Sequence, residues 1–221
     1  MPSQAALKDR AKALVYAMNE RSRWIYALPR AFGIGALKAL LLGHGFRADE
    51  EDTQAGVYRL VSDSSQALFV LFDSADLEAL IIEAEGAGAA PVLAKVLEKT
   101  GFYAQSQLLE MALRLNHPEA LKALRTLAHM VIAWDEDWSD LFLLHLASPD
   151  PLVRHEAAAC LSLAAMVARD AGPSLELLEE ARRRETFPKL RETLGEAIQM
   201  VKAATGAPLE IGADGMPKAL S

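Results

Sequence analysis

One stretch of the C-terminal half, Ser139–Asp170, constrains the fold more than any other part of the chain. It reads SDLFLLHLASPDPLVRHEAAACLSLAAMVARD, which predicts a short apolar helix, a Ser-Pro-Asp-Pro turn and a longer helix rich in Ala and Leu. Proline suits the first position of a helix, because the N–H that it lacks would have no partner there. We therefore expect a pair of antiparallel helices whose second member starts at Pro151.

The same unit recurs on both sides of this stretch. Pro118, Pro151 and Pro188 are 33 and 37 residues apart, and the residues two, six and ten positions after each proline are apolar. In chain order these are Ala120, Leu124, Ala128, Val153, Ala157, Leu161, Leu190, Leu194 and Ile198. Such positions form one stripe on a helix. Units of this size bury their apolar faces by stacking on their neighbours.

The predicted helix pairs cover the C-terminal half. They are Phe102–Asn116 with Pro118–Ile132, Asp137–Ala147 with Asp150–Asp170, and Ser174–Arg184 with Phe187–Ala204.

The segment Ser148–Ala158 resembles a HEAT repeat in its Asp-Pro turn, the following Val-Arg and the small residues that open the second helix. Arg154 matches the arginine of that family, Arg191 repeats it one unit later, and Leu121 departs from it in the first unit. HEAT-like proteins are mostly scaffolds and adaptors for protein partners. The resemblance implies an all-α fold, an α-solenoid of stacked antiparallel helix pairs, with a binding role and no named partner.

The N-terminal half is less regular. The apolar residues of Gln4–Glu20, Arg21–Pro29 and Ser74–Glu85 follow a helical period, and Ile34–Leu42 predicts a short helix that ends at Gly43-His44-Gly45. A further helix, with Pro91 near its start, stops at Gly101.

Residues 53–72 are ambiguous, because Gly56–Val61 and Gln66–Phe72 fit either a β-hairpin or two short helices. We favour helices there, since everything downstream is helical. The predicted organisation is an irregular helical region over 1–100, HEAT-like repeats over 101–204 and a tail without periodicity over 205–221.

Charge and cysteine content limit the class of protein. The chain has 221 residues and a net charge of −7, which argues against a nucleic-acid partner. Residues 1–47 are nevertheless basic, and they could bind an anionic membrane surface or pack against the acidic stretch Asp49–Glu98. With a single cysteine, no secretory signal and no apolar run of about 20 residues, the sequence predicts a cytoplasmic protein.

The candidate catalytic residues are isolated. Deoxyhypusine hydroxylase, a HEAT-like enzyme, builds a di-iron site from several His-Glu pairs, but His155-Glu156 is a lone pair here. Cys160 lies in an Ala-Ala-Ala-Cys-Leu run, which is typical of a buried, inert thiol. The sequence therefore predicts no metal, no cofactor and no catalytic residue, and we expect a protein that is not an enzyme.

A different cluster suits recognition. Trp134 and Trp138 flank Asp135, Glu136 and Asp137, and aromatic rings beside carboxylates can bind a basic or aromatic segment. The alternative is that both rings pack between neighbouring repeats.

We predict these five residues as the partner-binding site of a non-catalytic scaffold, adaptor or regulatory module, which includes inhibitor or immunity-type proteins. The alternatives are a HEAT-like enzyme that acts on nucleic acid or uses a metal, and a membrane-surface adaptor that binds through residues 1–47.

Overall fold

The computed structural model describes residues 23–52, 56–64, 66–115, 119–134 and 136–206. The chain divides into two compact units, the first ending at Gln107 and the second starting at Leu108. The first contains a five-stranded antiparallel sheet, so the prediction of an all-α fold, an α-solenoid, is wrong for the chain. Gln4–Glu20, most of the basic start and the predicted tail from residue 207 onward lie outside the described residues.

The sheet is built from strands β1 (Arg23–Leu28), β2 (Arg47–Asp52), β3 (Val57–Ser62), β4 (Ala67–Phe72) and β5 (Leu80–Glu85). Their order across the sheet is β1-β5-β4-β3-β2, and every neighbouring pair is antiparallel. β3 and β4 form a hairpin in which Val57 lies opposite Phe72 and Ser62 lies opposite Ala67. Val57–Ser62 and Ala67–Phe72 are therefore the two strands of a hairpin, and the prediction of two short helices there is wrong.

Two more segments with a helical period contain strands: β1 lies in Arg21–Pro29 and β5 lies in Ser74–Glu85. β5 lies between β1 and β4, and Leu80, Ile81 and Ile82 are buried in succession, so the alternation of a half-buried strand is missing. In β1 the buried residues come in two adjacent pairs three positions apart, a spacing that also fits a helix. Because both faces of these strands are buried, their apolar residues have a spacing that also fits a helix.

The predicted helix Ile34–Leu42 is present as α1, and the next predicted helix is present as α2 (Ala89–Thr100). A short 3-10 turn, Arg30–Phe32, precedes α1. α2 packs on β4, β5 and α1, and its Leu93, Val96 and Leu97 join the core beneath the sheet. Within this core the rings of Phe46 and Phe69 meet edge to face at 4.9 Å.

Gly86, which follows β5, has a positive φ of 102°. A Cβ atom there would lie 2.1 Å from the carbonyl oxygen of Gln66. Only glycine fits this close approach between two backbone segments.

The second unit is helical. α3 (Gln105–Ala112) crosses its boundary, and the helices that follow are α4 (Ala120–Ala128), α5 (Glu136–Leu146), α6 (Pro151–Ala168), α7 (Gly172–Arg184) and α8 (Pro188–Thr205). α5 packs on α6 and α7 packs on α8, while α4, α6 and α8 lie side by side. α7 also contacts α5, so two rows of helices face each other.

The predicted stripe holds these rows together. Eight of its nine residues are buried, and the ninth, Val153, is half-buried. Asp150 precedes α6, and its carboxylate accepts a hydrogen bond from the Leu152 N–H at 2.9 Å, which caps the helix at the predicted start. No helix among the described residues combines the length and apolar character needed to cross a membrane.

Candidate functional site

The predicted tryptophan site is mostly packed inside the second unit. Trp138 is 3% exposed, and Trp134 is half-buried, with its ring stacked on Phe142 at 5.8 Å and its N–H donating to Ser139 Oγ at 2.9 Å. A ring as buried as Trp138 offers a partner no surface, and Trp134 is already engaged within the unit.

The acids between these rings are placed differently. Asp137 is exposed on α5, Glu136 is the first residue of α5, and Asp135 lies outside the described residues.

The His155-Glu156 pair is split between two environments. His155 is exposed on α6, whereas Glu156 accepts hydrogen bonds from the guanidinium of Arg125 on α4, with a distance of 3.1 Å from Nε. Among the described residues, no three His, Cys, Asp or Glu side chains are grouped so as to hold a metal ion. Glu156 therefore links two helices of one row.

Cys160 is buried, as predicted. Burial raises the pKa of its thiol to about 12, and the nearby guanidinium of Arg125 offsets only part of that effect. A thiol with such a pKa is not a nucleophile at neutral pH.

Arg154 is the centre of a hydrogen-bond network that joins two turns of the second unit. Its Nε and Nη2 donate to the two carboxylate oxygens of Glu185 at 2.8 and 3.0 Å. Its Nη1 donates to the carbonyl oxygens of Ser148 at 2.8 Å and Pro149 at 3.1 Å. Arg154 therefore fastens the turn between α5 and α6 to the turn between α7 and α8.

Arg191 repeats half of this arrangement. Its Nε and Nη2 donate to the carbonyl oxygen of Glu185 at 3.0 and 2.6 Å. Each arginine thus binds a carbonyl six residues before it, at the end of the preceding helix, where carbonyl groups lack helical partners. The recurrence of Pro-x-x-Arg at Pro151 and Pro188 is the sequence signal for this role.

The ion pair between Arg154 and Glu185 shifts the pKa of both groups. The hydrogen bonds from Arg154 lower the pKa of the Glu185 carboxyl, and the same bonds raise the pKa of Arg154. The Glu185 side chain is 4% exposed, and it also accepts a hydrogen bond from the Phe187 N–H at 2.9 Å. Most hydrogen-bonding atoms of Arg154 and Glu185 are therefore already paired within the second unit.

A cleft of about 300 Å³ opens beside the two turns. Its apolar wall is formed by Leu143, Leu146 and Ala147 from the end of α5 and by Ala181 from α7. Arg184 lies at the same cleft. An apolar wall with a charged margin can hold an apolar side chain of a ligand or partner.

Exposed apolar side chains surround these turns. Leu152, at the start of α6, is 71% exposed, and Phe187, just before α8, is 53% exposed. Leu143 and Leu144, in the last turn of α5, are also exposed. We call these four residues, together with the cleft, the turn edge. Exposed apolar side chains on turns that are held together favour an interaction surface.

The turn edge has no signal in the sequence. Leu152 and Phe187 lie next to the prolines that start α6 and α8, outside the apolar stripe of either helix. Their spacing in the sequence therefore does not indicate that they belong to one surface.

Comparison with known proteins adds no identity, since no family model, curated protein or solved structure matches this chain.

Proposed function

We propose that the second unit is a protein-binding module and that the turn edge is its contact surface. The observation that carries the proposal is the pair of exposed apolar side chains, Leu152 and Phe187, on two turns that Arg154 fastens together. Because the turns are fixed, little conformational entropy is lost when a partner binds there.

The chemistry of the surface favours a protein over a small molecule. Exposed apolar anchors beside a cleft are the pattern of a protein interface, with a buried centre and a charged rim. Arg154 and Glu185 are satisfied internally, so the apolar residues supply the contact energy and the charges at the margin supply orientation.

The test is capture of a partner by the purified full chain, followed by reconstitution with the partner purified separately. The edge variant is Leu152→Ser/Phe187→Ser. The matched control is Met166→Ser/Met200→Ser, which changes two exposed apolar residues of the same unit away from the turns.

We expect one partner at near-equal abundance with wild type and with the control. Truncating two anchors costs about 2 kcal/mol of binding free energy, so the edge variant weakens the reconstituted complex by roughly thirtyfold. A partner that binds the edge variant as well as wild type would place the interface elsewhere, and the absence of any partner would refute the proposal.

A further inference from the structure

A second cleft, of about 520 Å³, lies between α7 and α8 and is strongly basic. We call it the basic cleft, and its lining residues are Glu179, Arg182, Arg183, Arg191, Ile198, Gln199 and Lys202. It carries four cations and one carboxylate in a chain whose net charge is −7. Such local inversion of charge favours an anionic ligand.

Helix geometry brings the charges together. Glu179, Arg182 and Arg183 are three and four residues apart on α7 and therefore share one face. Arg191 and Lys202 are eleven residues apart on α8, about three turns, and share a face with Ile198.

The charges of the basic cleft are only partly compensated. Arg183 donates to Glu180 at 3.0 Å from Nε, and Lys202 Nζ lies 3.9 Å from Glu179 Oε1. Arg191 binds a neutral carbonyl, so its positive charge remains. Arg182 has no hydrogen bond or ion pair with any residue in the described part of the chain.

The helix dipole alone does not explain why these four cations lie at one cleft. The run Arg182–Arg184 ends α7, where cations interact favourably with the helix dipole. Arg191, however, lies in the first turn of α8, where the dipole disfavours a cation.

The overall charge of the chain narrows the ligand class. A net charge of −7 disfavours a long polyanion such as a nucleic acid, because most of the surface would repel it. A short acidic peptide segment contacts only the basic cleft, where its carboxylates meet four cations.

We infer that the basic cleft binds an acidic segment of a protein partner, with carboxylates on Arg182 and Arg191. The inference rests on the proposed protein-binding function and adds the chemistry of the partner. Guanidinium groups suit this role because their fork of donors matches a carboxylate.

The experiment measures fluorescence anisotropy of a labelled oligoglutamate peptide with the full chain, and oligoglutamine is the uncharged comparison. The cleft variant is Arg182→Gln/Lys202→Gln. The control, Lys122→Gln/Lys189→Gln, removes the same net charge from exposed positions outside the cleft. Circular dichroism checks folding, and Arg182→Gln alone serves if the double variant is unfolded.

We expect oligoglutamate to bind wild type and control alike, to bind more weakly as ionic strength rises, and to bind the cleft variant about tenfold more weakly. Equal binding to wild type and the cleft variant, or equal binding of oligoglutamate and oligoglutamine, would overturn the inference. So would tighter, cleft-dependent binding of oligouridylate or of phosphatidylserine vesicles.

This experiment separates the two proposals. The edge variant Leu152→Ser/Phe187→Ser leaves the basic cleft intact and should bind oligoglutamate like wild type. If oligoglutamate fails to bind while the edge variant still loses the captured partner, the inference on the basic cleft falls alone.

Discussion

Arg154 is the residue whose loss should cost the second unit most. The change Arg154→Met keeps an aliphatic side chain and removes four hydrogen bonds, two to Glu185 and two to backbone carbonyls. It also leaves the Glu185 carboxylate, 4% exposed, without its cation.

Breaking a buried ion pair from one side costs about 3–5 kcal/mol. Arg154 retains 19% exposure and Glu185 keeps its bond from Phe187, so we take the lower end, about 3 kcal/mol. With a slope of about 2 kcal/mol per molar urea, the unfolding midpoint of the second unit should fall by about 1.5 M.

The assay is urea unfolding followed by far-UV circular dichroism, which reports mainly on helices. The double variant Arg154→Met/Glu185→Met should recover about half of the loss, because no buried charge remains unpaired. A loss below about 1 kcal/mol in the single variant, or a double variant as unstable as the sum of the two singles, would refute the reasoning.

The pair also makes stability depend on pH with a definite sign. The pKa of Glu185 is lowered in the folded unit, so its stabilising effect is complete above the ordinary value of 4.5. This effect is lost as pH falls through the lowered pKa, and Arg154→Met should show a weaker dependence in that range.

The remaining predictions concern one backbone site and two buried side chains. Gly86→Ala should destabilise the first unit by about 2–3 kcal/mol, while Gly35→Ala, on α1 with open space around it, should be neutral or stabilising, as urea unfolding would show. His145 is buried, its Nδ1 has no hydrogen-bond partner among the described residues, and burial lowers its pKa, so stability should fall as pH drops below about 6.5, and His145→Phe should abolish this slope. An unchanged midpoint between about pH 7.5 and 5.5 in wild type would contradict it. Cys160 should react with a thiol reagent only after unfolding, and fast labelling of the native protein would show that the thiol is accessible.

The helices from Ala89 onward were predictable because their signals are local. Pro151 and Pro188 start α6 and α8, as the sequence indicates. The buried stripe also follows from spacing alone. None of these signals depends on what a helix packs against, so each of them can be read from the sequence alone.

The sheet was missed because its signals are not local. β5 pairs with β1, which is distant in sequence, and its consecutive buried residues show no alternation. Six consecutive apolar residues in β4 also show no alternation of polarity, although Ala67, Phe69 and Leu71 are more buried than their neighbours. The turn edge and the basic cleft depend on contacts between helices, which a single sequence does not encode in any spacing.

Strand β2 has consequences for self-association. It is an edge strand with β3 as its one neighbour in the sheet, and Asp49, Glu50, Glu51 and Asp52 follow one another along it. Pairing of this edge with the same strand of another copy would place one acidic sequence beside another, which disfavours fibril-like growth along the edge.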